Sequence, residues 1–180
     1  MQPLLDSNSN VLIVYQQSED SPENCLIQER LERYELATRS VTKEKLLLGS
    51  HFVYQALKTL GFSEAVCQQA FSCVSSYLIP LPKGHLSYSN SGDFHVLAYS
   101  PKGTCGVDLE EYRNRSELVY DKFLGKQDVA DKKLMFYQKW LEKEIIFKCP
   151  NATQVTYKFF EDYLLGYFFE DSSELMCLYL

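Results

Sequence analysis

Short alternating runs of apolar and polar residues bracket two long stretches in which apolar residues recur at helical spacing. Val11 to Tyr15 is a β-branched and aromatic run flanked by polar residues and predicts a strand. From Lys43 to Leu60, Leu46, Leu47, Phe52, Val53, Ala56, Leu57 and Leu60 form one helical stripe, with Gly61 as a stop. Ser63 caps a second expected helix running to about Tyr77, after which Pro80 and Pro82 break regular structure. Three strands follow, His85 to Ser89, Phe94 to Ser100 and Thr104 to Leu109, separated by Ser91-Gly92-Asp93 and Pro101-Lys102-Gly103. They read as a meander. A helix is expected from about Ala130 to Cys149, ended by Pro150. Gln154 to Phe160, Tyr163 to Phe169 and Leu175 to Tyr179 then alternate as strands. This order predicts an α+β fold of two similar lobes, 1–100 and 101–180, related by a pseudo-twofold. Each lobe is expected to pack one long helix on a small, mostly antiparallel sheet.

Composition narrows the function classes. The 180 residues carry a net charge of −6, which argues against a nucleic-acid-binding surface. No segment approaches the roughly 20 apolar residues of a membrane span, and Met1 to Asn10 carries no leader pattern, so a soluble, cytoplasmic protein is expected. The six cysteines, at 25, 67, 73, 105, 149 and 177, form no CxxC pair and read as buried thiols. Basic residues gather in two places: Arg30, Arg33, Arg39, Lys43 and Lys45, then Arg113, Arg115, Lys122, Lys126, Lys132 and Lys133.

Two segments carry candidate chemistry. In Cys105-Gly-Val-Asp-Leu-Glu110, the strand period sends Cys105, Val107 and Leu109 to one face and Asp108 and Glu110 to the other. Adjacent carboxylates repel, so this face is either solvated or bridged by a cation such as Mg2+. On the following helix, Leu134, Phe136, Tyr137, Trp140, Leu141, Ile145 and Phe147 fill one apolar arc, and Glu144 and Lys148 fall near its middle. A charge on an apolar face costs several kcal/mol unless it is paired or metal-bound, more than an exposed i,i+4 pair returns. Three carboxylates and a lysine suit phosphoryl transfer. The chain has no GxxxxGK[ST], GxGxxG or GxSxG element.

The order Leu86-Ser-Tyr-Ser-Asn-Ser91, Gly106-Val-Asp108-Leu-Glu110, Trp140-Leu-Glu-Lys143-Glu144-Ile-Ile-Phe-Lys148 resembles the motif set of the 4′-phosphopantetheinyl transferases. The likeness is to the larger monomeric type, which activates peptide and polyketide synthases, and it spans about a third of the chain. It implies a holo-[carrier protein] synthase that moves phosphopantetheine from coenzyme A to a serine of an acyl or peptidyl carrier protein. Asp108, Glu110 and Glu144 match the Mg2+ ligands, Glu144 also the base for the carrier serine, Lys148 a phosphate contact, and Lys143 the residue preceding the glutamate. Ser89 matches a serine near the coenzyme A phosphates, whereas Asn90 stands where such proteins have histidine, so a phosphate-contacting imidazole is missing. Arg39, Lys43, Lys45 and Lys83 are assigned to the 3′-phosphate on charge and position. The second basic cluster is expected to dock the acidic carrier, and two lobes in one chain imply a monomer. The alternatives are a non-catalytic family member that binds coenzyme A or a carrier, and another Mg2+-dependent phosphoryl-transfer enzyme.

Overall fold

Alternation along each strand decides which layer its side chains enter, and the layers follow from there. The computed structural model describes residues 8–16, 32, 34–72, 79–126 and 129–180. Strand β1 (Asn10–Gln16) sends Val11 and Ile13 to one side and Leu12 and Val14 to the other. Helix α1 (Ser40–Thr59) lays Phe52, Val53, Ala56 and Leu57 against the first side, joined by Cys67 of α2 (Glu64–Ser72). Each fully buried ring or branched chain there contributes roughly 1.5–3 kcal/mol. The expected extension of α2 to Tyr77, and Cys25, Cys73, Arg30 and Arg33, lie outside the described residues.

Strands β2 (Ile79–Pro80), β3 (His85–Ser91) and β4 (Phe94–Ser100) complete the first sheet. Its order is β2-β3-β4-β1-β8, where β8 is Leu175–Tyr179. Among the described residues, β1–β8 is the one parallel pair of this sheet. The second sheet is antiparallel, in the order β5-β7-β6, from Cys105–Glu111, Tyr163–Phe169 and Thr156–Phe160. Leu12, Val14, Phe94, Val96 and Ala98 meet Cys105, Val107, Leu109 and Leu165 between the sheets. Helix α4 (Lys132–Lys148) covers the outer face of the second sheet, with Ile145 packed on Phe168 and Leu141 on Leu164. Asp131 starts it by accepting the Leu134 N–H at 2.8 Å. The result is mixed α+β in four layers: helix, sheet, sheet, helix.

Four elements differ from the sequence expectation, the first being β2, where Ile79 and Pro80 pair with Leu86 and His85 at the sheet edge, a place that tolerates a proline. Strand β5 does not continue the β3–β4 meander. It opens the second sheet and runs beside β3, where serine hydroxyls replace a backbone ladder: Ser87 Oγ accepts the Val107 N–H and Ser91 Oγ that of Glu111. Strand β8, in the C-terminal half of the chain, pairs with β1 in the first sheet. Helix α3 (Glu117–Leu124) was not expected. Its Tyr120 and Phe123 pack on Phe136, but it is too short, and too exposed at Leu118 and Val119, to show a stripe. Among the described residues no helix is long and apolar enough to cross a membrane.

Buried thiols are found at Cys67, Cys105 and Cys149, whereas Cys177 is exposed. It lies on β8, which is at the edge of the first sheet among the described residues.

Candidate functional site

Close approach of α4 to the second sheet builds the site. A Cβ on Gly106 would stand 2.9 Å from Ile145 Cγ2, and one on Gly166 2.9 Å from Ile145 Cδ1. Bare glycines at these points let the helix lie directly on the strands. Asp108 and Glu110 follow Gly106 on the same face of β5 and meet the helix one after the other.

Asp108 is buried, and its Oδ1 accepts from Lys148 Nζ and from Ser89 Oγ, both at 2.6 Å. Lys148 also donates to the Val107 carbonyl at 3.0 Å. Both side chains of this ion pair are only 8% exposed, so it lies within the low-dielectric interior rather than on a solvated face. Asp108 Oδ2 is buried with no hydrogen-bond partner. Two residues on, Glu110 Oε1 accepts the indole N–H of Trp140 at 3.0 Å. Burial and the Asp108 carboxylate push the Glu110 carboxyl up, and Glu144 adds to the rise, while Trp140 and Arg115 oppose it. Trp140, Glu144 and Lys148 recur every four residues on one helical stripe. Its two ends touch Glu110 and Asp108, and half-buried Glu144 lies between them.

These residues suit a hard divalent ion in kind: carboxylate oxygens, one of them buried and unpartnered, in a cluster where negative charge is already penalised. They are not drawn into a closed set. Among the described residues no three His, Cys, Asp or Glu side chains stand together as an ion-binding group, and Lys148 holds Asp108 by its own charge.

The expected apolar arc of α4 splits in two. Tyr137, Leu141, Ile145 and Lys148 face the sheet, while Phe136 and Trp140 pack under α3 against Phe123. Phe147 is 62% exposed, because α3 covers only the first turns of α4. Next to Glu110, a cavity of about 230 Å3 is lined by Arg115, Val119, Phe136, Tyr137 and Trp140.

The remaining candidates are spread along β3 and α1. Ser89 is at the site, its hydroxyl committed to Asp108. Asn90 pairs across the sheet with His95, whose ring is close enough to Lys45 to feel its charge. Ser89, Asn90 and Lys45 thus share the far end of β3. Lys43 lies over the Tyr34 ring at 4.8 Å, and Arg39 is the exposed residue before α1. Lys83 is exposed before β3 begins, and the start of that strand, His85, is itself about 16 Å from Asn90, so Lys83 is not brought to this end. Lys143 is exposed on α4, its Nζ 5.9 Å from the Trp140 ring centre.

Neither neighbouring histidine replaces an imidazole at Asn90. His85 Nδ1 is bonded to the Gly103 carbonyl at 3.1 Å. His95 is 1% exposed among Tyr15, Phe52 and Tyr88, with the Tyr88 hydroxyl at 2.7 Å from Nδ1. Burial, then the charge of Lys45, lowers it to about 4, with Asp93 acting weakly against them. It is neutral at pH 7. Because the folded pKa lies below the ordinary 6.5, the unfolded chain takes up the proton first as pH falls. The associated stability is complete above about pH 6.5 and is lost between there and about pH 4. The loss should reach about 3 kcal/mol. Urea midpoints measured across that range should fall for the wild type and stay flatter for His95→Gln; parallel curves would refute it.

Much of the second basic cluster is internally neutralised. Lys132 bridges Asp121 at 3.0 Å and Glu117 at 3.2 Å, Arg113 approaches Glu111 at 3.4 Å, and Lys133 lies over the Tyr112 ring. Arg115 Nε donates to the Tyr137 hydroxyl. Lys122 and Lys126 remain exposed.

Sequence reasoning missed Trp140 as a polar partner, because its indole reads as one more apolar position, and missed Ser87 and Ser91 as inter-sheet bridges. The Ser-x-Ser-x-Ser alternation on a strand was the available signal. No protein-family model matches this chain, and a search of curated proteins finds no match to it.

Proposed function

We infer that the chain is a 4′-phosphopantetheinyl transferase, a cytoplasmic monomer whose halves are related by a pseudo-twofold and which modifies an acyl or peptidyl carrier protein. The observation that carries this reading is the facing of Asp108 and Glu110 on β5 with the Trp140–Glu144–Lys148 stripe on α4. What supports it is that two segments distant in the chain meet through two hydrogen bonds, Trp140 to Glu110 and Lys148 to Asp108, with half-buried Glu144 between the two donors on the helix.

Asp108, Glu110 and Glu144 would hold Mg2+, which supplies charge neutralisation at the coenzyme A diphosphate. Lys148, held on Asp108, would stabilise the phosphoryl oxygens as negative charge builds on them. Lys45, near the Asn90 end of β3, with Lys43 and Arg39 on the preceding turns of the same segment, would supply charge to the 3′-phosphate. Glu144, half-buried between Trp140 and Lys148, takes the proton of the carrier serine hydroxyl. That oxygen bonds to the β-phosphorus, the bond from this phosphorus to the bridging oxygen breaks, and 3′,5′-ADP leaves. Exposed Lys122 and Lys126 offer charge to an acidic carrier.

Incubation with coenzyme A, Mg2+ and an apo carrier protein should add one phosphopantetheine by intact mass. Carriers that stay unmodified across several classes would defeat the reading. A protein that binds them without transfer would support a scaffold instead, and one that releases phosphate from simple esters without coenzyme A would support another phosphoryl-transfer enzyme.

A further inference from the structure

Each strand acid has one oxygen held by a donor from α4. Asp108 Oδ1 takes Lys148, leaving Oδ2 buried and unpartnered, and Glu110 Oε1 takes the Trp140 indole N–H. An indole donates and cannot accept, so this bond favours the charged carboxylate and fixes which oxygen is engaged. Packing holds the donor in place: the Trp140 ring lies 5.6 Å from the Phe123 centroid and 6.2 Å, nearly parallel, from Phe136. The same ring walls the cavity beside Glu110.

We propose that Trp140 is a positioning residue, whose N–H bond to Glu110 Oε1 presets that carboxylate as an ion ligand beside Asp108. The proposal rests on the transferase reading for the identity of the ion. Its test does not depend on transfer, because Trp140 is the single tryptophan of the chain. Indole emission therefore comes from the one ring that donates to Glu110.

Mg2+ is titrated into the full chain, with and without coenzyme A, and followed by emission and by calorimetry. The wild type should give a saturable emission change. Trp140→Phe retains a ring against Phe123 and Phe136 but lacks the donor, and should bind Mg2+ roughly tenfold more weakly. Its affinity for ion-free coenzyme A should be unchanged. Glu110→Gln, with Trp140 present, should lose the emission response, and this arm decides should Trp140→Phe fail to fold. Equal Mg2+ affinity in wild type and Trp140→Phe, an undiminished emission response in Glu110→Gln, or a wild type blind to Mg2+ in both titrations overturns the proposal. A Trp140-dependent ion site in a protein that modifies no carrier would leave the positioning role standing and remove the transferase reading.

Discussion

Lys148→Met should destabilise the protein by about 3–5 kcal/mol, because it leaves Asp108 as a buried charge without its cation. The Ser89 hydroxyl would still donate to Oδ1, but one neutral donor does not replace an ammonium at 2.6 Å. Methionine keeps most of the volume, so a cavity contributes little to the loss. The double variant Lys148→Met with Asp108→Asn should recover much of the stability, since no lone charge remains, and should recover no transfer. Urea denaturation of the four proteins measures the coupling. A single-variant loss under about 1 kcal/mol would mean that the pair is solvated after all, in the range of surface ion pairs.

Glu144→Gln should act in the opposite way, leaving stability nearly intact and lowering carrier modification roughly 10²–10⁴-fold. Glutamine preserves the shape of a half-buried side chain between Trp140 and Lys148 but removes both a proton acceptor and an anionic oxygen. Single-turnover transfer, read by the mass of the carrier, is the measurement. Coenzyme A and the carrier should still bind the variant. Unimpaired transfer would remove Glu144 from the chemistry, and an unfolded variant would place it in the structural framework with Lys148.

The contrast between these two substitutions comes from tertiary structure. On a helical wheel Glu144 and Lys148 sit side by side in one apolar arc, with nothing to separate their roles. Burial separates them: Lys148 ends beneath β5 on Asp108, whereas Glu144 lies at the border where the sheet-facing and α3-facing parts of the arc meet.

Local physical chemistry makes most elements legible in the sequence. Strands β4, β7 and β8 fall at the residues where period-2 alternation and turn residues put them, and α1 and α4 begin and end within a few residues of their stripes. The sharing of one strand face by Asp108 and Glu110 is equally a matter of local geometry, since a strand allows no other arrangement. What the sequence did not determine is pairing between distant segments. Addition of β8 beside β1, separation of β5 from its hairpin neighbours, and the serine bridges of β3 join residues far apart in the chain, and each depends on which edges remain open once the layers have stacked. Trp140 shows the same limit at one atom. Its ring was readable as apolar, but the aim of its N–H at Glu110 exists only because Phe123 and Phe136 fix the ring over a strand thirty residues earlier.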